Sequence, residues 1–173
     1  KGTIEDCRTV YCGSFSKTLS PGLRVGWAVA ARPVIAQMVL LKQAADLHSA
    51  TINQMAVAEV AGRCFDTHVA GLRETYRARR DVMLRALEEN MPEGISWTRP
   101  EGGMFVWVTL PPGMDAAVLL QRSLDTVRVA FVPGQAFFAD GSGANTLRLS
   151  FSSADEATID EGMRRLGQLL RGR

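Results

Sequence analysis

The stretch Tyr11-Cys12-Gly13-Ser14-Phe15-Ser16-Lys17-Thr18-Leu19-Ser20-Pro21-Gly22-Leu23-Arg24-Val25-Gly26-Trp27 decides how the rest of the chain is read. It sets small hydroxyl residues, one lysine, a Pro-Gly turn and an arginine between two β-prone apolar segments. Ser14 and Ser16 offer hydroxyls, and the planar fork of Arg24 suits phosphate oxygens. Together they make an anion pocket on one loop. Lys17 sits beside it. A lysine amine kept neutral by nearby positive charge or desolvation is a nucleophile toward carbonyls, so a phosphate-bearing aldehyde fits the pairing. A lone lysine is ordinarily a solvated surface residue. The flanking serines, the turn and the arginine set Lys17 apart from that ordinary case.

Outward from the loop, Val10 to Gly13 and the apolar run Val25 to Ala30 read as buried strands of a sheet covered on both faces. The lysine loop then joins neighbouring strands. From Pro33, tolerated in a first helical turn, Val34, Met38, Leu41 and Ala45 recur at helical spacing, and Thr51 to Gly62 continues in the same style. Two helices broken near His48-Ser49 are predicted. His48 and His68 lack ligand companions and read as ordinary histidines. A long amphipathic helix follows, with Phe65, Val69, Leu72, Tyr76, Met83, Leu87 and Met91 on one stripe and Arg73, Arg77, Arg80 and Arg85 on a solvated face. Met91-Pro92-Glu93-Gly94 ends it. A soft domain boundary falls within this helix, giving segments 1–75 and 76–173.

Beyond that boundary the sequence changes to short β segments. Ile95 to Thr98 and Met104 to Leu110 read as strands around Arg99-Pro100-Glu101-Gly102-Gly103, and Asp115 caps a helix from Ala116 to Leu124. Val127 to Val132 and Thr146 to Phe151 are strand-like, separated by the polar loop Asp140-Gly141-Ser142-Gly143. Ser153-x-x-Glu156 reads as a capping box opening a last helix with Ile159, Met163, Leu166 and Leu170 on one face. Strands and helices in this order predict an α+β lobe with an antiparallel sheet. In the last strand a period of two puts Leu147, Leu149 and Phe151 on one face and Thr146, Arg148 and Ser150 on the other. Arg148 therefore points away from the core, and spacing alone leaves it a solvent-face arginine.

Composition excludes several classes. The chain has 173 residues, 46% hydrophobic and 22% charged, with a net charge of +2, which is ordinary for a folded domain and too weakly basic for nucleic-acid binding. Cys7, Cys12 and Cys64 have no C-x-x-C spacing, so neither a disulfide framework nor a metal site is indicated, and a reducing, cytoplasmic setting is expected. No apolar run approaches the roughly 18 residues of a membrane span, and Lys1-Gly2-Thr3-Ile4-Glu5-Asp6 lacks the apolar core of a signal peptide.

The run S-F-S-K-T-L-S-P-G-L-R-V-G-W resembles the cofactor-lysine motif of fold-type I pyridoxal-phosphate (PLP) aminotransferases, class I/II, in the branch of 2-aminoadipate and kynurenine-type transaminases. The resemblance implies that Lys17 is the catalytic lysine that holds PLP covalently and that Ser14, Ser16 and Arg24 bind its phosphate. N-T-L-R-L-S-F-S resembles the family's arginine strand, which makes Arg148 the residue that binds the substrate α-carboxylate in a bidentate pair. P-E-G-G-M-F-V-W-V and F-V-P-G-Q-A-F-F are similar to the same family's small-domain segments. The implied fold is α/β, the carboxy-terminal part of a PLP-dependent transferase fold: the end of the large-domain sheet in 1–75 and a small α+β domain with an antiparallel sheet in 76–173. The implied reaction moves an amino group between an amino acid and a 2-oxo acid in a homodimer. The family carries its ring-binding residues upstream of the lysine, so the 173-residue chain alone is expected to be inactive. The alternative reading is an aminotransferase-like effector-binding domain of a winged-helix transcriptional regulator.

Overall fold

The computed structural model describes residues 8–172, so Cys7 and the Lys1–Asp6 segment lie outside the described residues. The chain divides into two compact units, Lys1–Leu72 and Arg73–Arg173, and each is described by itself. Among the described residues no helix is long and apolar enough to cross a membrane.

In the first unit β1 (Tyr11–Ser14) pairs antiparallel with β2 (Gly26–Val29), in the register Tyr11↔Val29 to Ser14↔Gly26. The lysine loop joins the two strands, as expected. Their burial differs from expectation: Tyr11, Trp27 and Val29 are 62%, 42% and 48% exposed. The reason is geometric. The described sheet here holds only these two strands, and two strands cannot cover each other's faces. Helix α1 (Arg32–Ala45) starts with Pro33 in its first turn, where the missing N–H costs nothing. It ends where Lys42 donates to both carboxylate oxygens of Asp46, at 2.9 and 3.0 Å. The break at His48-Ser49 falls where the sequence places it, with Leu47 in the left-handed region at φ 63°.

Helix α2 runs unbroken from Thr51 to Asn90, so the segment Thr51 to Gly62 and the long helix read after it are one element. Nothing stops the chain between them. No proline falls there, and a lone Gly62 lowers helix stability by only about 1 kcal/mol without breaking the hydrogen-bond ladder.

The second unit is built on a four-stranded antiparallel sheet in the order β3-β4-β6-β5. The strands are β3 (Ser96–Trp97), β4 (Phe105–Thr109), β5 (Val132–Pro133) and β6 (Thr146–Ser150). Val106, Val108 and Leu110 together with Leu147, Leu149 and Phe151 form the sheet's share of one core. The helical share comes from Val82, Met83, Ala86 and Leu87 of α2, Leu119 of α3 (Ala116–Thr126), and Ile159, Met163, Leu166 and Leu169 of α4 (Glu156–Leu170). Each fully buried Val, Leu, Ile, Met or Phe side chain among them contributes about 1.5–3 kcal/mol of transfer free energy. Asp115 caps α3 as read, accepting from the amides of Ala117 and Val118 at 2.7 and 3.2 Å.

Two readings are corrected. The strand expected over Val127 to Val132 shrinks to Val132–Pro133. Upstream of it the backbone is committed elsewhere: the Ser123 hydroxyl donates to the Val129 carbonyl at 2.6 Å, the Val129 amide donates to the Ser123 carbonyl at 3.4 Å, and Arg128 turns at φ 56°. The cap of α4 is Asp155 rather than Ser153, because the Asp155 carboxylate accepts from the Thr158 amide at 2.8 Å. Glu156 is then the first helical residue, too early to close a capping box.

Two glycines of α4 make the packing testable. A Cβ on Gly162 meets nothing within 4 Å, whereas one on Gly167 falls 2.3 Å from the backbone carbonyl oxygen of Asn90, the last residue of α2. Gly162→Ala is expected to raise stability by about 0.5–1 kcal/mol through helix propensity. Gly167→Ala is expected to lower it by about 1–3 kcal/mol despite the same propensity gain, because a backbone atom blocks the methyl group. Denaturant unfolding of the two variants checks the opposite signs.

The cap gives a second test. Side-chain and backbone hydrogen bonds from Thr158 hold the Asp155 carboxyl below its ordinary value of 3.8. A carboxyl whose pKa is depressed by folding stabilises above its unfolded pKa and loses that contribution as the pH falls through the folded one. Asp155→Ala should therefore lower the unfolding midpoint at neutral pH and match the parent once the pH is well below 3.8. Ser153→Ala should leave the midpoint unchanged throughout.

Candidate functional site

The lysine loop is closed by its own backbone. The Phe15 amide donates to the Val25 carbonyl at 3.1 Å, extending the β1–β2 pairing by one step. The Phe15 carbonyl then accepts from the amides of Thr18, Leu19 and Ser20 at 3.3, 2.8 and 3.2 Å, which curls residues 15–20 into a tight turn with Lys17 at its crest. Ser14 and Ser16 are brought together: the Ser14 hydroxyl donates to the Ser16 Oγ at 2.9 Å and accepts from the Ser16 amide at 3.0 Å. Lys17 is exposed, and among the described residues it has no ion-pair or hydrogen-bond partner.

Arg24 closes the short 3-10 turn Pro21–Leu23 in the left-handed region, at φ 53°. Its guanidinium donates to the Pro21 carbonyl at 3.0 Å rather than to either serine. Arg24 therefore lies on the same loop as the two hydroxyls without bonding them. The loop rests on α2, where the Asn53 amide nitrogen donates to the Leu23 carbonyl at 3.0 Å. Phe15 lies between Trp27 and Phe65, with ring centroids 4.8 and 6.3 Å away. Gly13 is needed under this stack, since a Cβ there would fall 2.2 Å from the Trp27 ring.

One group was not singled out by the sequence reading. Thr18 Oγ1 is buried and has no hydrogen-bond partner among the described residues, an expensive state for a hydroxyl unless a ligand or water completes it. Two mutually bonded hydroxyls, a guanidinium and this unpartnered hydroxyl suit a phosphate by their chemistry, and the uncommitted Lys17 amine suits its aldehyde.

Arg148 belongs to the second unit. In the β4–β6 register it stands opposite Trp107, on the face away from the core, and it is half-buried. Its guanidinium carbon lies 4.0 Å from the Phe105 ring centroid and 4.7 Å from that of Phe137. Among the described residues no carboxylate pairs with it and none accepts a hydrogen bond from it, so its N–H donors are uncommitted. The signal for Phe105 was present in the sequence, because Phe105 and Trp107 alternate with the buried Val106 and Val108. Phe137 carried no such signal, since it sits in the 3-10 turn Gly134–Phe137, where no strand period applies.

The sequence profile for aminotransferase class I and II matches residues 2–166. A 2-aminoadipate transaminase of Thermus thermophilus is 49% identical over 163 residues, covering 94% of this chain and 41% of the relative. Aromatic-amino-acid aminotransferase 1 of Thermococcus litoralis is 45% identical over 172 residues, covering 99% and 41%. The crystal structure of an alpha-aminoadipate aminotransferase of Thermus thermophilus, complexed with N-(5'-phosphopyridoxyl)-L-leucine, superposes with a TM-score of 0.91 at 49% identity, covering 94% of this chain and 42% of that one. The chain thus spans about two fifths of the length of the relatives it matches, and the match falls on their carboxy-terminal part. The fold is the corresponding α/β part of the PLP-dependent transferase fold. With the profile covering nearly all of its length, this chain belongs to the aminotransferase class I and II family.

Proposed function

We propose that the protein is a PLP-dependent transaminase that moves an amino group between an amino acid and a 2-oxo acid. The observation that carries this reading is the Lys17 turn, where an uncommitted amine stands on the same short loop as a hydroxyl pair, a guanidinium and a buried hydroxyl without a partner. Bound PLP supplies a sink for the electron pair released at the substrate α-carbon. Lys17 holds the cofactor through its Nζ and, as a free amine, moves the proton at the substrate α-carbon. Ser14, Ser16 and Arg24 bind the phosphate. Arg148 takes the substrate α-carboxylate in its fork and so orients the α C–H bond for cleavage.

In this reading residues 1–75 are the end of a large PLP-binding domain and residues 76–173 a small carboxy-terminal domain. A homodimer is supported by the apolar side chains left at the surface of the first unit, among them Leu41, Leu47 and Ile52 at 70%, 72% and 75% exposed. The free, exposed Cys12 and Cys64 suit a reducing, cytoplasmic setting. An effector-binding role in a transcriptional regulator draws on the same loop, and no feature of the chain favours it over the enzyme.

Reducing the full-length protein with borohydride in the presence of PLP and mapping the labelled peptide is expected to place the label on Lys17. A label on another lysine overturns the assignment. Arg148→Ala is expected to weaken binding of α-carboxylate substrates by about 2–5 kcal/mol while leaving PLP affinity nearly unchanged. Parallel titrations of substrate and cofactor check it.

A further inference from the structure

The guanidinium of Arg148 is held by rings rather than by charges. Its carbon lies 4.0 Å from the centroid of Phe105 and 4.7 Å from that of Phe137. Phe137 is itself packed edge-on to Trp107, with centroids 5.5 Å apart and planes at 75°. Trp107 faces Arg148 across the β4–β6 ladder, and Phe105 lies two residues before it on the same face. Both rings lie against the guanidinium, and a ring contact takes up no N–H donor, so among the described residues the N–H groups that a carboxylate would use stay free. Phe105 and Phe137 are 37% and 50% exposed, a costly placement for two phenyl rings with no other described polar partner.

An arginine left to itself keeps several rotatable bonds and loses that freedom on binding. A charged partner would hold it still, but would occupy the very donors a ligand needs. Ring contacts restrict the side chain without that competition.

We propose that Phe105 and Phe137 are positioning residues that fix the plane of the Arg148 guanidinium so that its N–H edge is presented to a carboxylate ligand. The proposal rests on the reading of Arg148 as the carboxylate-binding residue. Phe105→Leu and Phe137→Leu should each weaken binding by about two- to tenfold, the range expected for a cation–π contact. Phe137→Tyr, which keeps the ring, should bind like the parent.

The probe is glutarate, a dicarboxylate with no amino or oxo group to react, titrated calorimetrically into the full-length protein loaded with PLP. Arginine-selective labelling supplies a second reading: the Arg148 side-chain proton signals should be displaced upfield by the ring currents in the parent protein and move back in either Leu variant. If both Leu variants bind glutarate as tightly as the parent while Arg148→Ala loses it, the positioning role is wrong and the Arg148 reading stands. If Arg148→Ala binds glutarate undiminished, the Arg148 reading fails and the proposal fails with it. Should the Leu variants not fold, undisplaced Arg148 signals in the parent protein overturn the proposal on their own.

Discussion

The antiparallel ladder between β4 and β6 is the constraint on which the second unit depends. Five residue pairs, from Phe105↔Ser150 to Thr109↔Thr146, fix its register. That register sends Val106, Val108, Leu147 and Leu149 into the core beneath α2, α3 and α4, and it sends Phe105, Trp107 and Arg148 the other way. A slip of β6 by one residue would turn Arg148 inward and Leu147 and Leu149 outward, burying the guanidinium and exposing two aliphatic chains. The hydrophobic driving force that builds the lobe therefore also decides where Arg148 stands. Core and candidate site are two faces of one pairing.

A different economy governs the lysine loop. Almost nothing there is buried, and the geometry comes from backbone hydrogen bonds. One carbonyl, that of Phe15, gathers the amides of Thr18, Leu19 and Ser20, while Asn53 ties the Leu23 carbonyl to α2. Short polar side chains suit such a turn because they can bond locally to the backbone. The same composition that closes the turn leaves hydroxyls clustered at one point, and a loop organised by its main chain keeps the Lys17 side chain free of structural duties.

Legibility in the sequence followed the strength of periodic signals. The strands of the small lobe, the Asp115 cap and the outward face of Arg148 could be read because alternation by two and a side-chain cap are local properties. What could not be read depended on which of several possible partners the backbone takes, and on elements distant in sequence. Val127 to Phe131 has strand composition, yet its backbone is taken by Ser123. Asp155 rather than Ser153 is the cap because the helix begins at Glu156 and the Asp155 carboxylate takes the Thr158 amide, an onset that the two candidates' similar capping chemistry does not decide. Tyr11, Trp27 and Val29 looked like core residues because apolar composition reports a preference for burial, not the presence of something to be buried against. Ser14, Ser16, Lys17 and Arg24 stand out as candidates in one sequence motif and Arg148 in another, whereas the rings against Arg148 needed a register and a 3-10 turn to bring Phe105 and Phe137 beside it.

The edges of the four-stranded sheet carry a consequence of their own. Both outer strands, β3 and β5, are two residues long, and β5 ends in Pro133, which has no amide hydrogen to offer an incoming strand. An open sheet edge is a template for cross-molecular pairing, and long, flat, hydrophobic edges are the ones that recruit other chains into aggregates. Here each flank offers only two residues, so a foreign chain finds little ladder to extend along β3 or β5. The short flanks thus limit edgewise pairing along β3 and β5 themselves, and changes that lengthen β5 through Pro133 would give an incoming strand more ladder to extend.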